Sequence, residues 1–205
     1  MKHIQKQAAP QAFIDWKSRP RTYDRFKKTA PIKQVVKAAL MQEQGYLCCY
    51  CERRLTDSDS HIEHFKPQKD PTVDPLDFNN LLCSCQKDLD QGEPRHCGNS
   101  KGSYDANLLV SPLDSTCEAR FMFTADGYVQ TAIETDAIAQ TTIDVLQLDI
   151  PKLRALRSSA IAPFLTPDLS DDELRQFVKG YLAKDASGQH SEFWTTIRAL
   201  FGGLV

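Results

Sequence analysis

The chain has 205 residues, 41% hydrophobic and 25% charged, with a formal net charge of -2. That balance suits a globular fold of one domain, or one domain with a helical annex, and argues against disorder. No apolar run reaches the roughly 20 residues of a membrane helix, and the first residues lack the apolar core of a signal peptide, so a cytoplasmic protein without a membrane partner is expected.

At the N-terminus, Pro10, Pro20 and Pro31 divide the chain into short helices separated by turns, with Pro31 starting one of them. Residues 1–40 carry ten Lys and Arg against Asp15 and Asp24, an excess of eight positive charges that suggests a phosphate-contacting surface. The apolar spacing of Ile32, Val35, Val36, Ala39 and Leu40 is helical, and Gly45 supplies a stop just before Cys48.

Residues 56–60 are turn-prone, so 53–55 and 61–64 read as two extended arms of a hairpin-like unit. The tract 66–77, with Pro67, Pro71 and Pro75, reads as loop, and 86–96 as a charged excursion before a helical turn near 97–101. Residues 119–129 alternate around a turn at 125–128, a hairpin signal. From 137 to 162 and from 170 onward the apolar spacing is helical, with Ser170 as cap and Asp171 and Asp172 in the first turn. The chain shows no internal repeat.

Seven cysteines, an odd number, in a chain without an export signal argue for metal binding over a disulfide framework. Cys48 and Cys51 have the spacing of a zinc knuckle, and a second pair from Cys83, Cys85 and Cys97 completes a tetrahedral thiolate site. Cys49 and Cys83 are the expected non-ligands, leaving Cys48, Cys51, Cys85 and Cys97 around a structural Zn2+, with His96 a weaker substitute. Four soft ligands leave no open position, so this zinc supports the fold. Cys117 stands apart and reads as a small packed side chain.

The segments Cys48-x2-Cys51, Glu63-His64-Phe65-Lys66-Pro67, Asn80-Leu81-x3-Cys85 and Cys97-x-Asn99-x-Lys101 resemble the cysteine-bearing HNH endonucleases. The wording 61–67 and 96–102 is similar to that of the PtuB-type nucleases of Septu and retron-linked anti-phage systems. The resemblance implies an α+β fold, a mainly helical protein around a small zinc-stapled ββα-metal core. It divides the chain into a basic helical segment (1–45), a nuclease core (46–110) and a hairpin with a C-terminal helical segment (111–205).

By the same resemblance His64 is the general base, since imidazole titrates near neutrality, and Asn80 orients it by accepting from one ring nitrogen. Glu63, where the family pattern has Asp, and Asn99 would hold a catalytic Mg2+ or another divalent ion, with His61 a further candidate ligand on the same strand face. Lys66 and Lys101 are candidate nucleic-acid contacts. The implied partners are nucleic acid and a PtuA-like ATPase, with retron components in a hetero-oligomer docked on the N- and C-terminal helical segments. A non-catalytic zinc-knuckle binding module would explain the cysteines but not Glu63, His64 and Asn80. A redox switch at Cys48 and Cys51 is a further alternative.

Overall fold

The computed structural model describes residues 1–166 and 169–205. The prolines divide the N-terminal part as their chemistry requires. Helix α1 (Gln11–Lys17) follows Pro10, α2 (Tyr23–Lys28) is capped by the Thr22 hydroxyl, and α3 (Ala30–Glu43) has Pro31 in its first turn. Helix α3 stops where Gly45 turns with φ +60°, and buries Val36, Leu40 and Met41.

Strand β1 (Ser60–His64) pairs antiparallel with β2 (Leu81–Cys85), aligning His61 with Ser84, Glu63 with Leu82 and His64 with Leu81. This corrects the expected hairpin of 53–55 with 61–64. Arg54 bridges Leu47 instead, and the hydrogen bonds from Cys48 N to Arg53 O and from Leu55 N to Tyr46 O close the cysteine turn on itself. Every residue of β2 is buried, as an apolar strand covered on both faces should be. Its outer edge is capped by a side chain: the Gln44 amide donates to Cys83 O (2.9 Å) and accepts from Cys83 N (2.7 Å). The short helix α4 (Gly98–Lys101) follows Cys97.

Downstream, β3 (Phe121–Phe123) and β4 (Val129–Thr131) form the expected hairpin, closed by Gly127 at φ +88°. A Cβ there would lie 2.2 Å from Arg154 O, so glycine is required. The helical tract beyond 137 breaks into α5 (Ala137–Val145) and α6 (Pro151–Ile161), because Gln147 takes φ +52° and Pro151 restarts the helix. Helix α7 (Asp171–Leu182) begins with a capping box between Ser170 and Glu173, and α8 (Trp194–Phe201) closes the fold. The fold is thus α+β, with two small antiparallel sheets among helices in the described residues.

One large core runs from Met1 and Ile4 through α3, the cysteines and β2 to Leu153, while Ile161, Phe164, Val178 and Ile197 form a smaller satellite core under α7 and α8. Among the described residues, no helix is long and apolar enough to cross a membrane.

Candidate functional site

Separate pieces of chain deliver thiols, singly or in pairs, to a common point. Cys48 and Cys51 sit on the turn after α3, Cys85 ends β2, and Cys97 caps α4 with φ 55°. Their four sulfurs lie within 4.8 Å of one another, all buried, with Cys51 and Cys85 Sγ 3.7 Å apart. A tetrahedron of Zn–S bonds of about 2.3 Å has edges of about 3.8 Å, so the donor set and its spacing fit zinc. The set is the one the spacing predicts. Burial opposes ionisation of Cys48, but the neighbouring thiols that hydrogen-bond to it hold its pKa well below the ordinary thiol value. Cys83 and Cys117 lie outside the cluster, and burial pushes each thiol up to about 12.

His96 is fully buried beside this cluster, its Nδ1 3.1 Å from Cys97 Sγ and 3.8 Å from Cys85 Sγ. It borders two thiols while the four cysteines complete the set without it. The excursion 86–96 is drawn shut by Gln86, which accepts from His96 N (2.9 Å) and donates to Pro94 O (3.0 Å). That closure brings Cys97 back to Cys85 across the insertion.

The same sheet presents a second set of groups. Alternation along β1 puts His61 and Glu63 on one face, with His61 Nε2 3.7 Å from Glu63 Oε2. The other carboxylate oxygen, Oε1, accepts from Tyr50 Oη (3.1 Å) and pairs with Lys101 Nζ (3.0 Å). Burial disfavours the charged carboxylate, but His61 and Lys101 outweigh it and hold the Glu63 pKa below its ordinary value. Gly98, the first residue of α4, stands directly against this pair. A Cβ there would lie 2.7 Å from Glu63 Oε2 and 2.9 Å from His61 Nε2. The absent side chain leaves a cradle lined by one carboxylate oxygen and one imidazole nitrogen, a donor set suited to a divalent cation.

His64, the next residue, has its Nε2 2.9 Å from Pro75 O. A carbonyl only accepts, so Nε2 carries the proton and Nδ1 is the free acceptor. The Tyr23 ring packs edge-on against the imidazole, with centroids 4.9 Å apart. Burial lowers the His64 pKa below its ordinary value, against the opposing pull of the Pro75 carbonyl and Glu63.

Three of the expected site residues have other partners in the structure. Asn80 does not touch the imidazole: its amide accepts from Lys66 N (2.8 Å) and donates to Lys66 O (2.9 Å), bracketing the chain two residues beyond His64. The hydrogen bond to the imidazole comes instead from the Pro75 carbonyl, on a proline-rich loop with no motif to mark it. Asn99 donates its amide to Gln86 O, while Gly98, one residue earlier, stands against Glu63 and His61. Lys101 is 3% exposed and spends its ammonium on Glu63, His64 O (2.9 Å) and Phe65 O (3.2 Å), so it is not free to meet a phosphate at the surface. Lys66 remains exposed. The motif spacing did not announce Tyr50, Gly98 or Tyr23; only the i, i+3 relation of Gly98 and Lys101 on one helical turn hinted that they share a face.

No family model matches the chain. Two proteins named "putative HNH endonuclease" are similar to it. That of retron Vc95 from Vibrio cholerae is 30% identical over 138 residues, covering 63% of this chain and 65% of the relative. That of retron Ec83 from Escherichia coli is 27% identical over 207 residues, covering 80% of each. Septu protein PtuB of Bacillus thuringiensis is 27% identical over 124 residues, 57% of this chain and 42% of PtuB. The chain thus spans less than two thirds of the Vc95 protein and under half of PtuB. Shared sequence of this extent makes the chain a homologue of these two retron proteins, named putative HNH endonucleases, and of Septu PtuB.

Proposed function

We propose that the chain is a metal-dependent HNH endonuclease that hydrolyses phosphodiester bonds of nucleic acid, with residues 46–110 as its ββα-metal core. The observation that carries this is the convergence on one strand of an imidazole with a defined free nitrogen and a carboxylate–imidazole cradle kept open by Gly98. The names of the homologues point the same way.

In this mechanism His64 Nδ1 takes the proton from a water attacking phosphorus, while the bond to Pro75 O holds the tautomer and stabilises the imidazolium that forms. Its depressed pKa keeps the ring neutral, and so able to accept, at physiological pH. Glu63 Oε2 and His61 Nε2 would hold Mg2+ or another divalent cation, whose chemistry is to offset negative charge on the phosphoryl oxygens and the departing oxygen. Tyr50 and Lys101 keep Glu63 Oε1 occupied and so present Oε2. Asn80 and Lys101 brace the chain on either side of Phe65, and exposed Lys66 meets the backbone of the substrate. The buried Cys48, Cys51, Cys85 and Cys97 would hold a structural Zn2+ that ties β2 and α4 to the turn after α3.

Purified protein with Mg2+ should cut DNA or RNA, alone or with partners, and His64→Ala should abolish cutting while zinc content and melting temperature stay unchanged. Retained cleavage in the variant refutes the role of His64.

The homology also supports a place in an anti-phage system beside a PtuA-like ATPase, with retron components in the same assembly. The C-terminal segment 111–205 offers the apolar surface for such docking, since Leu165, Phe177, Leu204 and Val205 are exposed around the satellite core. Phe177→Glu should then abolish co-purification with the ATPase; unchanged co-purification removes this surface from consideration.

A further inference from the structure

The excess of positive charge in the first 40 residues is not one surface, because the structure spends part of it internally. Lys6 pairs with Glu43 (2.5 Å) and donates to Leu81 O, Lys17 reaches Asp74 and Leu76 O, and Lys37 reaches Asp57. These lysines pin the N-terminal helices to the core. The Arg21 guanidinium lies over Trp16 and donates to Trp16 O.

Of the cations left over, Lys2 lies over the Trp194 ring, Arg19 and Lys33 stand singly at the surface, and three fall together on α2. Among the described residues, the side chains of Arg25 and Lys28 make no ion pair or hydrogen bond, and both are exposed. Lys27 pairs with Asp24 (2.6 Å), at side-chain exposures of 50% and 77%, a solvated pair of little net strength that a phosphate can replace. Opposite these cations, Phe26 is sunk into an aromatic cluster with Phe13 (5.7 Å) and Trp16 (5.9 Å), which fixes the helix in place. Tyr23 then sets its position relative to the site. Lys27 Nζ lies 5.5 Å from the Tyr23 ring centre, and that ring lies 4.9 Å from the His64 imidazole, so one phenol ring contacts both the cation and the imidazole.

We propose that α2 is the nucleic-acid rail of this site, with Arg25, Lys27 and Lys28 binding backbone phosphates on one side of the bond broken beside His64. The inference rests on His64 being the catalytic base. Consecutive nucleotides of one strand rise about 3.4 Å, and the two contacts through Tyr23 together span at most about 10 Å, so Lys27 meets a phosphate no more than about three nucleotides from the scissile one. The fit is to a polyanion of regular charge spacing, because α2 carries three cations within four residues and a single acid. The rail comes from before α3, outside the paired strands and α4 that carry His64, Glu63 and Gly98, so the strand is gripped by an element separate from the one that would cut it.

Binding is measured by fluorescence anisotropy with labelled 30-mers of DNA and of RNA over a salt series, in His64→Ala protein so that cleavage does not intrude. Adding Arg25→Gln, Lys27→Gln and Lys28→Gln should lower affinity by about 10- to 1000-fold and flatten the slope of log K against log salt by about 2 to 3, at roughly 0.7–0.9 for each phosphate no longer neutralised. A control removing the same charge at Arg175, Lys179 and Lys184 on the far helix and its following turn should leave the slope unchanged, and zinc content and melting temperature should not move in either variant. Binding retained with an unaltered slope overturns the proposal, as does an equal loss in the control. Loss of co-purification with an ATPase at unaltered slope overturns it in favour of an acidic protein partner. A His64→Ala parent that binds neither DNA nor RNA overturns the nuclease reading itself, and that outcome is visible before α2 is altered.

Discussion

Gly98→Ala separates the cation cradle from the fold. The new Cβ would lie 2.7 Å from Glu63 Oε2 and 2.9 Å from His61 Nε2, whereas ordinary contact begins near 3.4 Å. One or both donors must therefore retreat by about 0.5–0.7 Å, beyond the tolerance of roughly 0.5 Å within which a ligand set stays productive. The retreat is cheap for folding, because the displaced atoms end side chains. It is costly for the site, because Oε1 of the same carboxylate is pinned by Tyr50 and Lys101 and cannot follow. Backbone conformation does not oppose the change, since Gly98 lies in α4 and is not among the glycines of positive φ, and alanine is favoured over glycine in a helix by up to about 1 kcal/mol. Melting temperature should hold or rise slightly, while affinity for Mn2+, measured by calorimetry or electron paramagnetic resonance, falls about 10- to 100-fold, equivalent to about 1.4–2.7 kcal/mol. Cleavage should fall in parallel and recover in part at high Mg2+. Wild-type Mn2+ affinity and wild-type cleavage in Gly98→Ala would refute the placement of the cation between His61 and Glu63.

Other substitutions test the neighbouring parts. Cys51→Ser should reduce bound zinc from one per chain and lower stability by several kcal/mol, read by metal analysis and thermal unfolding; a chain that melts normally without metal would show that the thiols are packing alone. Lys101→Met leaves Glu63 buried without its cation and frees the carbonyls of His64 and Phe65, so a loss of about 3–5 kcal/mol is expected by denaturant unfolding, and a loss below about 1 kcal/mol would contradict the buried placement. Because burial lowers the His64 pKa and the base must be neutral, kcat/KM should be flat through neutrality and fall only below the ordinary histidine value of 6.5. An acid limb centred above 6.5 contradicts this environment. In the same pH window the unfolded chain takes up a proton more readily than the folded one, so the contribution of His64 to stability is present above 6.5 and lost as pH falls through the folded value.

Local chemistry was legible in the sequence where local rules govern. Pro31 and Gly45 bound α3, Ser170 with Asp171 and Asp172 starts α7, and Gly127 turns the second hairpin, because each is settled by backbone geometry within a few residues. The thiol set was legible for a related reason: two residues between Cys48 and Cys51 are enough to specify a knuckle, and it then seeks partners of its own kind. Tertiary structure alone decided the partner of β1, which comes from residues 81–85 and not from the nearer arm at 53–55, because the pairing is chosen by which strand can be buried on both faces. It also decided the direction of long side chains, since Lys101 and Asn80 have several acceptors within reach and packing selects among them. The same selection placed an N-terminal tyrosine against the histidine of the central motif and left a glycine, rather than the adjacent asparagine, facing the carboxylate. Sequence spacing states which groups are present near a site; the burial of the groups around them determines which atoms remain free to act.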